Sequence, residues 1–125
     1  MAEIVKARDT DAPGQPLVAV KRILPHLCED AQYKTMFLDE SRVLAQLHHD
    51  AIIKTFEIGE VDDTPYIALE FVDGQDARML FHKTRKQGTR VPLPIACFIA
   101  IKICEGLHHA HEQIDANGEL LGLVH

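Results

Sequence analysis

"LVAVKRILP", residues 17–25, sets one lysine inside a run that otherwise belongs in a core. Leu17, Val18, Ala19, Val20, Ile23 and Leu24 are apolar and rich in strand formers, with Lys21 among them. Alternate side chains of a strand share a face, so Ala19, Lys21 and Ile23 point one way and Val18 and Val20 the other. The stretch therefore poses a pairing problem, because a buried unpaired charge costs several kcal/mol.

Working outward, "EIVKAR" (3–8) reads as a strand, "DTDAPGQP" as a turn cluster, and residues 3–24 together as a hairpin that Pro25 stops. "EDAQYKTMFLDESRVLAQLHH" (29–49) is the clearest helix, with Met36, Glu40, Val43, Leu44 and Leu47 at i, i+4, i+7, i+8 and i+11. "AIIKTFEIGEV" (51–61) and "YIALEFV" (66–72) read as strands around a "DDTP" turn. "QDARMLFHKTRKQG" (75–88) predicts a short helix and "TRVPLP" a loop. "IACFIAIKICEGLHHAHEQI" (95–114) predicts a long helix, with Pro94 suited to its first turn. That helix is apolar over more than one face, as buried helices are. "DANGELLG" (115–122) reads as a turn and "LVH" (123–125) as the start of a strand.

Glu40 falls between Met36, Val43 and Leu47, a carboxylate in an apolar stripe. The simplest solution pairs Lys21 with Glu40 across a strand–helix interface. The plainer alternative has Lys21 snorkelling from a sheet edge and Glu40 on the rim of its stripe.

The 125 residues suffice for one modest domain, and 46% hydrophobic with 26% charged residues fits a soluble globular protein. A formal charge of −6 argues against a nucleic-acid binder. Cys28, Cys97 and Cys104 form no CxxC motif. With no apolar leader at "MAEIVKARDTD", they are expected to be reduced thiols of a cytoplasmic protein, inert in apolar settings. No uninterrupted apolar run has the length of a membrane span, so no membrane segment is expected. Cys104, His108 and His111 have metal-ligand spacing on a helix. No second ligand pair accompanies them, and histidines also suit a helix C-terminus, as at His48 and His49. "HKTRKQGTR" (82–90) is basic but short and reads as a solvated loop.

In order and spacing the chain resembles the eukaryotic-like protein kinases, in particular the bacterial serine/threonine type. "VAVK" (18–21) matches the strand lysine motif of that family, and Glu40 its helix glutamate. "YIALEFVDG" (66–74) resembles the strand and hinge that hold adenine, and "LVH" the entry to the H-R-D motif. The resemblance implies an α+β, protein-kinase-like fold: an antiparallel small-lobe sheet with one regulatory helix, then large-lobe helices. It divides a partial kinase domain, 1–125, into small lobe and hinge (1–72) and the start of the large lobe (73–125). Large-lobe segments beyond these residues would cover the long helix.

The resemblance also implies roles. Lys21 would contact the α- and β-phosphates of ATP with Glu40 holding its ammonium. Ala19 and Ile4 would pack on the base, Leu69 would be the gatekeeper, and backbone groups of Glu70 and Val72 would meet the adenine edge. Asp76 would contact ribose, Leu44 would link helix and sheet, and His125 would be the motif histidine. Of the glycine-rich loop only "AEI" (2–4) remains, with Ala2 at the third glycine and Ile4 at the valine; the first glycines would precede residue 1, making Met1 internal. The catalytic aspartate would fall two residues past His125, and the Mg2+ ligands further on. The implied activity is ATP-dependent phosphorylation of a protein serine or threonine, with these residues alone inactive. The alternative is a non-catalytic pseudokinase or interaction module of the same fold. A third reading is an unrelated α+β domain with Lys21 and Glu40 as surface charges.

Overall fold

The hairpin predicted around Lys21 is the first half of a four-stranded antiparallel sheet in a computed structural model, which describes residues 2–114 and 118–123. Its strands are β1 (Ala2–Arg8), β2 (Leu17–Ile23), β3 (Thr55–Val61) and β4 (Thr64–Glu70), in the order β1-β2-β4-β3. Between β2 and β3 lie a one-turn helix α1 (Pro25–Cys28) and the long α2 (Ala31–Gln46); α3 (Ala77–Lys86) and α4 (Leu93–His111) follow β4. The chain divides into two compact units, Met1–Phe71 and Val72–His125.

In the first unit, Ile23 (β2), Phe37 (α2), Ile67 and Leu69 (β4) form the core, with Ala2, Ala19, Cys28, Leu44 and Ile58 packed against it. Ile23 and Ile67 are fully buried and Phe37 is 1% exposed. The face of the sheet that carries Ala19, Lys21 and Ile23 is therefore the face that α2 covers. Pro25 ends β2 as expected, but it also opens α1, because its fixed φ suits a first helical position. Asp30 caps α2, its side chain accepting from the Gln32 amide at 2.8 Å.

The stripe expected on α2 is right toward its C-terminus, where Leu44 packs on the core and Leu47 just past the helix is buried, and differs toward its N-terminus. Phe37 and Ser41 are buried and Leu44 half-buried, whereas Met36 is 47% exposed. Both sets obey helical spacing; the bulkier Phe37 takes the sheet, and the Ser41 hydroxyl is satisfied by the Phe37 carbonyl at 2.7 Å. Glu40 therefore stands on the flank of the stripe, not at its centre.

β3 and β4 are joined by Asp62 and Asp63, both with left-handed φ (48° and 60°), the two-residue loop geometry that matches strand twist. On the outer face, Gly59 of β3 lets the Tyr66 ring lie across it; a Cβ there would stand 2.5 Å from the ring. The Tyr66 hydroxyl donates to Glu57 at 2.6 Å.

In the second unit, "HKTRKQGTR" is helical as far as Lys86, so the solvated-loop reading holds only for its end. α4 leaves Leu93, Phe98, Ile101 and Ile103 exposed among the described residues. It is long and apolar enough, by length and composition, to cross a membrane. Lys102 and Glu105 interrupt its apolar run and pair with each other at 2.6 Å. Cys97 and Cys104 are exposed on α4, correcting their assignment to apolar settings, while Cys28 is half-buried. An isolated antiparallel bridge joins Ile114 and Leu120. The strand expected at 123–125, including His125, lies almost entirely outside the described residues, as does the centre of the turn before it.

Candidate functional site

Cross-strand register gathers the predicted small-lobe residues on one face. Ile4 of β1 lies opposite Lys21 of β2, and Lys21 opposite Ile67 of β4; Ala19 lies opposite Leu69. Period-two alternation puts all of these side chains on the α2 side. Lys21 Nζ donates to Glu40 Oε1 at 2.6 Å, so the two charges singled out from sequence meet across the strand–helix interface. The Lys21 ammonium also lies 5.8 Å from the centre of the Phe37 ring.

The lysine side chain is 23% exposed and the glutamate 47%. A pair this open is worth about 0–1 kcal/mol, so it contributes little to stability. What it does is fix the position of an ammonium. Of three N–H donors, Glu40 takes one, and two remain for anionic oxygens. That geometry fits a phosphate group.

Glu40 is in turn placed by how α2 is held. Phe37 and Leu44 anchor the helix in the core. Lys34, toward its N-terminus, donates to Glu60 Oε1 of β3 at 2.8 Å and to the Asp63 carbonyl in the β3–β4 loop at 3.2 Å. The hydrogen bond to Glu60 holds the Lys34 ammonium above its ordinary pKa. Sequence reasoning missed Lys34 and Phe37; their i, i+3, i+7, i+10 spacing with Ser41 and Leu44 was the available signal.

Thr55 of β3 lies opposite Leu69, and its Oγ1 is buried without a hydrogen-bond partner. At the end of β4, the Glu70 amide donates to the Lys54 carbonyl at 2.8 Å, and its carboxylate accepts from the Lys54 amide at 3.3 Å. The Glu70 amide is thereby engaged within the fold. Val72 and Asp76 belong to the second unit. Val72 is 65% exposed, and the Asp76 carboxylate caps α3 by accepting from the Met79 amide at 2.6 Å. Its second oxygen is not used in the cap. No three His, Cys, Asp or Glu side chains converge to hold a metal among the described residues.

A twisted antiparallel sheet whose strand lysine is held by a glutamate from one packed helix is the small-lobe arrangement of a protein kinase. The model of the protein kinase domain family matches residues 2–114. The chain is 36% identical, over its full length, to the tyrosine-protein kinase MasK of Myxococcus xanthus, covering 20% of that protein. It is 39% identical, again over its full length, to the probable serine/threonine-protein kinase SCO3848 of Streptomyces coelicolor, covering 17% of it. Among solved structures, the PknI kinase domain of Mycobacterium tuberculosis superposes with a TM-score of 0.71 at 27% identity, over 90% of this chain and 43% of that one. The chain belongs to the protein kinase family. It spans about a fifth of the length of these curated relatives. The family match runs through α4, which assigns that helix to the kinase domain.

Proposed function

We propose that these residues form the nucleotide-holding part of an ATP-dependent protein serine/threonine kinase of the cytoplasm. The observation that carries the reading is the 2.6 Å Lys21–Glu40 pair. The ammonium, fixed by Glu40, meets the α- and β-phosphates. Ala19 and Ile4 pack on the base, and Ala19 leaves room that a larger side chain would fill. Leu69 bounds the back of the pocket, and backbone groups of Glu70 and Val72 meet the adenine edge. The oxygen of Asp76 not used in its cap accepts from ribose. Mg2+ would neutralise charge on the transferring phosphoryl group, held by ligands outside the described residues. Serine/threonine specificity follows the names of most relatives, although MasK is named a tyrosine kinase.

Fluorescence titration with a labelled ATP analogue tests the reading. Lys21→Met is expected to weaken binding at least tenfold and Glu40→Gln severalfold, with circular dichroism unchanged. Unaltered binding by Lys21→Met would overturn it. The pseudokinase alternative predicts the same binding without phosphorylation of protein by the longer polypeptide.

A further inference from the structure

The stretch from Ala77 to Cys104 contains no Asp or Glu, yet the whole chain carries a formal charge of −6. Five of its cations, Arg78, Lys83, Arg85, Lys86 and Arg90, form no ion pair among the described residues, whereas Lys21, Arg22, Lys34, Arg42 and Lys102 each do. Cations in the last turn of α3 suit its dipole, which accounts for Lys83, Arg85 and Lys86. It does not account for Arg78, in the first turn where a cation is unfavourable, or for Arg90, beyond the helix.

Geometry concentrates part of this charge. Arg78, His82 and Arg85 follow i, i+4, i+7 spacing and form one ridge of α3. Arg85 and Arg90 both line an open cleft of about 600 Å³ whose apolar lining is Phe81, Val91 and Ala96. His82, Arg85 and Lys86 line an adjoining hollow, so Arg85 is common to both. Two exposed guanidiniums beside an apolar concavity can bind carboxylates bidentately while an apolar side chain fills the cleft.

We propose that the Arg85–Arg90 cleft docks an acidic segment of a protein substrate, seating an apolar side chain against Phe81 and Val91 between flanking carboxylates. A peptide fits better than the other polyanions. The basic surface is one short helix long on an acidic chain, too small for the extended phosphate contacts of nucleic acid. Of the apolar lining, Val91 and Ala96 are half-buried and Phe81 is 51% exposed, a small concavity that suits one inserted side chain, whereas a membrane surface is met by a broad array of projecting apolar side chains. The assignment of the peptide as substrate rests on the kinase reading. The test below omits nucleotide, so its failure would leave the Lys21–Glu40 reading intact.

The test is fluorescence anisotropy of the purified chain with a fluorescein-labelled, glutamate-rich peptide bearing a central leucine. The wild-type chain is expected to bind, more weakly as salt rises. Arg85→Glu/Arg90→Glu should lose at least tenfold in affinity, and Arg85→Gln/Arg90→Gln severalfold, with far-ultraviolet circular dichroism unchanged because both side chains are exposed. Lys83→Glu changes net charge at a position off the cleft and should cost no more than about twofold. Phe81→Ser should weaken the leucine peptide but not a glycine-substituted one. Binding by the double glutamate variant equal to wild type would overturn the proposal, as would a Lys83→Glu effect of equal size. So would arginine-dependent binding of polyuridine RNA or phosphatidylserine vesicles that exceeds binding of the peptide.

Discussion

The two units of this chain use similar apolar content in opposite ways. In residues 2–71 the sheet and α2 enclose Ile23, Phe37 and Ile67, each 1% exposed or less. In the second unit α4 is at least as apolar, yet Leu93 is 75% exposed and Phe98 60%. Charge divides along the same line. Among the described residues, the ion pairs that join separate elements, Lys21–Glu40, Arg22–Glu3 and Lys34–Glu60, all belong to the first unit. In the second, Lys102–Glu105 lies within one helix and, among the described residues, the cations of α3 have no acidic partner. An apolar residue stabilises a fold only to the extent that a neighbouring surface removes it from water. The difference therefore lies in what covers each region, not in its composition.

Truncation of one aromatic residue in each region tests that comparison most strongly. Phe37→Ala should destabilise the protein by about 3–5 kcal/mol in urea unfolding, whereas Phe98→Ala should cost within about 0.5 kcal/mol. Equal costs would mean that α4 is covered in solution. Next in size is the outer face of the sheet. Gly59→Ala pushes the Tyr66 ring aside and breaks its hydrogen bond to Glu57, at a cost of about 1 kcal/mol. In a Tyr66→Ala background the same change should cost much less, which a double-mutant cycle would reveal.

The opposite sign is expected at Thr55, whose buried hydroxyl has no partner. Thr55→Val replaces it with a methyl group of similar shape and should be neutral or stabilising by up to about 1 kcal/mol in the same urea assay. The smallest effect is pH-dependent and confined to the first unit. Hydrogen bonds donated to Glu57 and Glu60 raise the pKa values of Tyr66 and Lys34, respectively, above their ordinary ones. Groups whose folded pKa is raised stabilise below their unfolded values, near 10, and lose that contribution as pH rises through the higher folded values. Melting temperature should therefore fall above about pH 10, and less steeply in Tyr66→Phe than in wild type.

Much of the small lobe was legible because its signals are local. Alternation in "LVAVKRIL", the turn residues at 62–65 and the periodicity of 31–46 each specify an element without reference to the rest of the chain. The pairing of Lys21 with Glu40 was legible for a different reason, since a charge among apolar residues demands a partner and the chain offered one in a matching setting. The lodging of Phe37 and Ser41 against the sheet was not legible. Leu47 is buried as its spacing predicted, but Met36 satisfies the same period and is exposed, because helical spacing says which residues share a face but not which face is covered. The exposed thiols of Cys97 and Cys104 were misjudged on the same ground: apolar neighbours in sequence do not bury a residue without a second surface.

By itself the sequence determined the strands, the two long helices, their order, and the lysine and glutamate that need each other, because propensity, period and charge act over a few residues. Only tertiary structure decided the 2.6 Å contact between that pair, the tether from Lys34 to Glu60, and the side of α2 that meets the sheet. It also decided that Arg85 and Arg90 share one cleft. Those outcomes depend on which surfaces residues distant in sequence bring together, and no local pattern encodes that meeting.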